Sequence, residues 1–255
     1  MTAPQDHELE EQEGAFAQST CRALDGDDDR RNYHDYQHRL IAPYVGRSVL
    51  EIGAGTGALS ARFGDRDRRV VTDVDPEAVD HLRRRFSGRP DVTVRSLNLA
   101  AGDVLDHRVD TAMAINVLEH IHDDAGALRA LARSVRPGGT LVLFVPGYDQ
   151  LYGDFDRKVG HVRRYTPTTL RSAVDRAGLT VHLCRPVNLL GGLAWWAAVR
   201  KGGTGSPRPR MVRLYDRTVV PATRLLEAVV RPPFGQSIFC VARVPVTSVD
   251  IPPTT

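Results

Sequence analysis

"VLEIGAGTG", residues 49–57, decides how the rest of the chain is read. An apolar run carries one carboxylate, Glu51, and opens into Gly53-Ala54-Gly55-x-Gly57. Glycines at a strand-to-helix turn let the main chain approach a ligand closely. A pyrophosphate would favour Gly-x-Gly-x-x-Gly, with backbone N–H groups facing the anion. Ala58 at the sixth position is a tolerated variant of that pattern, so spacing alone leaves a dinucleotide open. Glu51 argues against it. An acid there repels phosphate, suits an ammonium or sulfonium group, or orders the loop by accepting its N–H bonds.

The segments around this turn alternate. "SVLEIGA", "RRVVTDVDP", "VTVRSLNL", "DTAMAINV" and "PGGTLVLFVPG" read as strands, and "LTVHLCRPV" and "SIFCVARV" as two last ones. Helices fall between them: "ALSARFGD", "EAVDHLRRRF", "DDAGALRALARSV" and "TPTTLRSAVDRAG", the last with Thr166 as N-cap and Pro167 in its first turn. Before the first strand, Tyr33, Tyr36, Leu40 and Tyr44 share a helical face that ends near Pro43 and Gly46. Strands separated by helices predict a parallel, doubly wound α/β sheet. Ligands of such sheets lie beyond the carboxyl ends of the strands. Strand two ends in Asp73, where an acid can accept hydrogen bonds from both hydroxyls of a ribose; the alternative is that Asp73 caps the next helix.

The bulk numbers narrow the class. At 255 residues the chain can hold one sizeable α/β domain with elaboration. A formal charge of +3, with acids interleaved among the bases, gives no concentrated basic face and excludes a nucleic-acid partner. Cys21, Cys184 and Cys240 are scattered and odd in number, which fits a reducing cytoplasm better than a disulfide framework or a zinc cluster. The acidic opening "MTAPQDHELEEQEG" lacks the apolar core of a signal peptide. "VNLLGGLAWWAAV", at 187–199, falls short of the ~20 residues that span a bilayer. The expected organisation is an acidic tail without fixed structure over 1–28, a core over 29–186, a helical insert over 187–232, the last strand over 233–246 and a flexible tail over 247–255.

"VLEIGAGTG", "VVTDVDPEAV", "NVLEHIHDD" and "RPGGTLVLFVP" stand in the order and spacing of class I S-adenosylmethionine-dependent methyltransferases, which the chain resembles over roughly residues 32–185. The resemblance implies a Rossmann-like, seven-stranded sheet, mostly parallel with the last strand antiparallel and helices on both faces. It implies S-adenosyl-L-methionine as methyl donor and S-adenosyl-L-homocysteine as product. Gly53, Ala54, Gly55 and Gly57 would line the methionine and ribose, Glu51 would support the loop and the amino group, and Asp73 would hold the ribose diol. Val74 would pack on adenine. Asn98-Leu99 stands where the family usually places Asp near the adenine amino group. Asn116 and Val117 would lie near the methionine portion, and Tyr33 would close over the donor. "DRKVGHVRRYTPTTL" and "NLLGGLAWW" are similar to a bacterial branch of these enzymes often encoded beside glycosyltransferases and lipid- or polyketide-tailoring enzymes.

Methyl transfer from a sulfonium needs alignment more than a fixed catalytic residue, and orientation supplies roughly 7–11 kcal/mol. Where the acceptor must lose a proton, His161 and His120 are the candidate bases; the alternatives are that His161 organises its loop and that His120 bonds backbone in its turn. Arg163, Arg164 and Tyr165 could bind an anionic acceptor, with Trp195 covering it, or equally form a solvated helix entrance. Some ubiquinone-type O-methyltransferases read E-x-x-E-H at the fourth motif and hold a divalent cation there. This chain reads Asn116-x-x-Glu119-His120, one carboxylate short, with Asp154 and Asp156 as distant replacements, and no metal is expected. The insert, with Trp195-Trp196 and the loop "KGGTGSPRPR", reads as a lid, a dimer contact or a peripheral membrane contact. The expected activity is methylation of an oxygen on a small-molecule, sugar-linked or lipid-linked metabolite in the cytoplasm or at the inner membrane face. The rivals are a non-methylating S-adenosylmethionine binder and a nicotinamide-dependent oxidoreductase.

Overall fold

The computed structural model describes residues 30–200 and 209–246. The two expected tails, Cys21 and most of the "KGGTGSPRPR" loop lie outside the described residues. Seven strands form one sheet: β1 (Ser48–Ile52), β2 (Arg68–Asp73), β3 (Val92–Ser96), β4 (Val109–Ile115), β5 (Val135–Pro146), β6 (Thr180–Val187) and β7 (Ser237–Arg243). Their order is β3-β2-β1-β4-β5-β7-β6. The first five strands pair in parallel, and β7 runs antiparallel to both β5 and β6. The strand order therefore reverses at β1/β4, the place where an open α/β sheet leaves a crevice beyond its strand ends.

β5 displays the logic of the core. Leu141, Leu143 and Val145 enter one apolar cluster, and Val142 and Phe144 enter the other across the sheet. All five are fully buried, as a strand covered on both faces requires. Truncating Phe144 to alanine would cost about 3–5 kcal/mol through lost transfer energy and the cavity left behind. β6 and β7 set Cys184 opposite Cys240, both buried and both free thiols.

The helices are α1 (Arg31–Ile41), α2 (Pro76–Arg85), α3 (Asp124–Arg133), α4 (Asp154–Lys158), α5 (Pro167–Arg176), α6 (Leu189–Arg200), α7 (Pro209–Leu214) and α8 (Val220–Val229). α5 starts as expected, with Thr166 accepting the Thr169 N–H and Pro167 in the first turn. The helix expected after the glycine loop shrinks to a 3-10 turn, Ser60–Phe63. Its carbonyls are taken from the side: Arg62 donates to Ala58 O at 2.8 Å, and Arg69 to Ser60 O at 2.8 Å. α4 was not foreseen.

A π-helical stretch, Tyr215–Val219, joins α7 to α8. The insert is tied to the core through α1. Asp216 accepts the N–H groups of Asn32 and Tyr33 at 3.1 and 2.9 Å, and Glu227 accepts the Tyr36 hydroxyl at 2.7 Å. Among the described residues no helix is long and apolar enough to cross a membrane.

Candidate functional site

The three loop glycines all adopt positive φ, but each is required for a different reason. A Cβ on Gly53 would meet Val117 Cγ2 at 2.7 Å, and one on Gly57 would meet Leu82 and Phe86 of the α2 region at 2.7 and 2.8 Å. These two let secondary structure close around the turn. Gly55, at φ +53, faces open space, with nothing within 4 Å of an added Cβ. The bare backbone at Gly55 is thus the part of the turn a ligand can approach.

Glu51 sits beneath the loop, 3% exposed, accepting a hydrogen bond from the Ser60 hydroxyl. Burial pushes its carboxyl up to about 7, against the pull of that hydrogen bond, with the nearby Asp73 charge adding to the rise. Of its two expected roles, support of the turn is the one its contacts express. Asp73 accepts the Gly55 N–H at 2.8 Å and the Asp75 N–H at 3.1 Å. Asp75, not Asp73, caps α2 by accepting the Glu77 N–H. The helix-cap alternative for Asp73 is therefore taken up by its neighbour. Burial raises the Asp73 carboxyl above its usual range, while three backbone N–H bonds oppose the shift.

Val74, next to Asp73, leaves 37% of its surface exposed at the strand end. Asn98 turns its side-chain oxygen onto the N–H groups of Ala100 and Ala101, and Leu99 is buried in the core. Leu99 therefore serves packing, and the Asn98 carbonyl organises its own loop. Asn116 is exposed with φ +54, and Val117 lies against Gly53. Tyr33 is stacked on Tyr36 with centroids 6.3 Å apart. Burial pushes its phenol up to about 12, with a hydrogen bond to Ser237 opposing.

Two residues beyond Val117 a second, very different site begins. Glu119 is fully buried and neither carboxyl oxygen has a hydrogen-bond partner. His161 Nε2 lies 3.8 Å from Glu119 Oε1, and His161 Nδ1 lies 2.7 Å from Asp156 Oδ1. A carboxylate only accepts, so Nδ1 carries a hydrogen, and the neutral form of the ring has its lone pair on Nε2. The 161–162 segment is pinned from both sides: Tyr152 donates to His161 O at 2.7 Å, and the Val162 N–H to Glu119 O at 2.8 Å. Burial pushes Glu119 up to about 8, with the Arg164 charge opposing. His120 packs edge-on against His161, 4.7 Å between centroids. Burial above all, helped by the positive charge of His161 whenever that ring is protonated, pushes it down to about 3, which keeps it neutral near pH 7.

The arginines and tyrosine expected to meet an anionic acceptor point elsewhere. Arg164, 7% exposed, forks onto Asp156 at 2.9 and 3.0 Å and donates to Gly147 O at 3.2 Å. Asp124 collects Arg163 at 3.0 Å, Arg176 at 3.0 Å and the Tyr165 hydroxyl at 3.2 Å. Tyr165 is 2% exposed and belongs to the core. The reason is electrostatic: two buried carboxylates, Asp124 and Asp156, need cationic partners and take them from this run. Burial alone would raise Asp156, but bonds from His161 and Arg164 outweigh it and hold its carboxyl below the usual range. Trp195 does reach the cluster. Its indole N–H donates to Leu151 O at 2.9 Å, its ring meets Phe155 edge-on at 5.3 Å, and Arg164 lies 5.7 Å from its face.

Sequence reading passed over Asp156 as the partner of His161 and Arg164, and over Glu119 as a buried acid. The spacing Asp156-x-x-x-x-His161-x-x-Arg164 was the available signal. Among the described residues, ligand-capable atoms of Glu119, His120 and His161 lie within 4.8 Å of one another, a grouping that could hold a metal ion.

Comparison with known proteins fits this geometry. The family model described as "Methyltransferase domain" matches residues 26–183. A Mycolicibacterium smegmatis protein named "Probable S-adenosylmethionine-dependent methyltransferase" is 34% identical over 161 residues, 60% of this chain and 59% of its own length. A Mycobacterium tuberculosis protein with the same description is 34% identical over 164 residues, covering 61% of this chain and 57% of its own length. The chain thus spans less than two thirds of these relatives. A ubiquinone biosynthesis O-methyltransferase of Paracidovorax citrulli is 34% identical over 104 residues, 39% of this chain and 43% of its own length.

Two solved structures share the fold. A Haloferax volcanii complex of the Trm112 methyltransferase activator with a methyltransferase aligns at TM-score 0.62 with 20% identity, covering 92% of this chain and 97% of that one. The [4+2]-cyclase SpnF aligns at 0.56 with 19% identity, covering 84% and 81%. With the family model covering more than half its length, the chain belongs to the methyltransferase-domain family.

Proposed function

We propose that this protein is an S-adenosylmethionine-dependent methyltransferase that methylates an oxygen of a small-molecule, sugar-linked or lipid-linked metabolite. The observation that carries the reading is the juxtaposition of the two sites. An open, positive-φ Gly55 held by Asp73 lies on one side of Val117, and an Asp156–His161 pair lies beyond the same turn. The donor-side residues fit an adenosyl sulfonium. Gly55 offers bare backbone, Asp73, buried beneath it and bonded to its N–H, would accept from vicinal hydroxyls on this reading, and Val74 offers an apolar face. When bound, S-adenosylmethionine supplies an already activated methyl group and leaves as S-adenosylhomocysteine. Glu51, Gly53, Ala54 and Gly57 shape the loop; Asn116, Val117, Tyr33 and the free amide edge of Asn98 form the remaining walls.

On the acceptor side the chain's own groups handle a proton. His161 is held by Asp156 through Nδ1, which leaves Nε2 to take the proton of a hydroxyl. His120, neutral and packed on His161, restricts the ring. Glu119, protonated over most of the neutral range, keeps the pocket uncharged. With Glu119 protonated, the grouping of Glu119, His120 and His161 presents no anionic ligand to a cation, so the reading remains metal-free. Trp195 and the insert roof the cluster and exclude water, which strengthens the electrostatics inside. The chain's setting on this reading is cytoplasmic.

The test is direct. Calorimetry should detect S-adenosylmethionine binding, and a panel of hydroxylated acceptors should yield S-adenosylhomocysteine with turnover unchanged by a chelator. His161→Ala should lower turnover about 10²–10⁴-fold while leaving donor affinity intact. Donor binding without any product across the panel would favour a non-methylating role, for which the same pocket would serve. Absence of donor binding would sink the assignment.

A further inference from the structure

The helical unit Pro209–Val229 turns an unusual face to solvent. Met211, Leu214, Leu225 and Val229 are 64%, 63%, 77% and 83% exposed, far beyond the scattered exposure of single apolar residues. With exposed Thr218 and Ala222 they recur at steps of three and four residues, which places them in one stripe along the helix. Arg210, Arg213, Arg217 and Arg224 recur at helical spacing as a second row, each one residue before a position of the stripe.

The two acids of the unit lie on the opposite side. Asp216 is buried under Asn32 and Tyr33, and Glu227 takes the Tyr36 hydroxyl and the Leu189 N–H. The outward surface therefore combines large apolar side chains with arginine charge and carries no acid of its own helix. The adjoining α6 exposes Leu193 and Trp196 as well.

We propose that this face docks on an anionic lipid bilayer. The apolar stripe enters the boundary between headgroups and acyl chains, and the arginine row meets lipid phosphates. An apolar stripe beside a basic row is the composition of helices that lie in the plane of a membrane interface. Arginines held close to an anionic leaflet add attraction that salt screens. A soluble partner chosen for the stripe alone would leave the arginine row unexplained; an anionic bilayer uses both. The proposal rests on this surface and stands apart from the assignment of methyl transfer.

The full chain should float with equimolar phosphatidylcholine–phosphatidylglycerol vesicles and not with pure phosphatidylcholine vesicles. Added salt should weaken that binding. Leu214→Glu with Leu225→Glu should abolish flotation, and Arg210→Gln with Arg217→Gln should weaken it about tenfold. Calorimetry of S-adenosylmethionine binding on the same variants separates loss of lipid contact from loss of fold, since none of the four residues touches the donor site. The proposal is overturned by failure of the wild-type chain to bind anionic vesicles, or by equal binding to both compositions. It is also overturned by light scattering that finds a dimer which Leu225→Glu converts to monomer, because a second copy of the chain then covers the stripe.

Discussion

The glycine loop and the Asp156–Arg164 cluster lie on either side of one turn, yet they are built on opposite principles. The loop holds its place through backbone geometry and makes room by leaving side chains out. The cluster is saturated with polar contacts: Asp156, Arg164 and His161 are nearly inaccessible, and the other two both bond to Asp156. An omission can be filled by a ligand with little effect on the fold, whereas a buried charge set fails as a unit. Substitution at the open Gly55 should therefore register mainly in binding, and substitution of Asp156, on which the cluster's cations converge, mainly in stability.

The widest separation is expected at Asp156. Asp156→Ala leaves the Arg164 guanidinium buried without its partner and should cost about 3–5 kcal/mol in denaturant unfolding. A loss below about 1 kcal/mol would mean that water reaches this site. Next come the loop glycines. Gly57→Ala incurs left-handed strain of roughly 1–2 kcal/mol. It also incurs about 1–3 kcal/mol of overlap with Leu82 and Phe86. Gly55→Ala incurs the strain alone, so its stability loss should be the smaller while its donor affinity falls further than that of more conservative loop changes. Asp73→Ala, read by calorimetry, should weaken donor binding about 10–100-fold, the worth of a hydrogen bond to a charged group. Asp73→Asn should recover part of that loss.

A different kind of effect is a dependence on pH. Burial raises the folded-state values of Glu51 to about 7 and of Glu119 to about 8. The native state thus holds protons that the unfolded chain has released, so these two groups favour folding at low pH and lose that contribution as pH rises from about 4.5 to 8. Glu119→Gln should flatten the upper part of that decline in thermal melts. A decline unchanged by both Glu51→Gln and Glu119→Gln would assign it elsewhere.

The same contrast explains what could be read from the letters. Gly53, Gly55, Gly57 and Asp73 were legible because their constraints are local: positive φ, a strand end, and one βα unit of separation. The antiparallel end of the sheet was legible too, through the family pattern. "GHVRRYT" misled because a basic run before a helix cap has the composition of a solvated surface. What draws Arg163, Arg164 and Tyr165 inward is Asp124 and Asp156, and an acid's burial is decided by packing that no short window of sequence contains. Glu119 and His161 meet for the same reason, brought together by the turn after β4 and the segment before α5. The shortened turn after the glycine loop belongs to this class: Arg69, on the next strand, takes a carbonyl that a longer helix would have used.

Both tryptophans of the chain, Trp195 and Trp196, sit side by side on α6, and Trp195 is fastened to the Leu151 carbonyl and the Phe155 ring. Tryptophan emission therefore originates entirely on α6, with Trp195 reporting from the roof of the pocket. A red shift on dilution into mild denaturant, ahead of any loss of far-ultraviolet ellipticity, would time the lifting of that roof without a single added label.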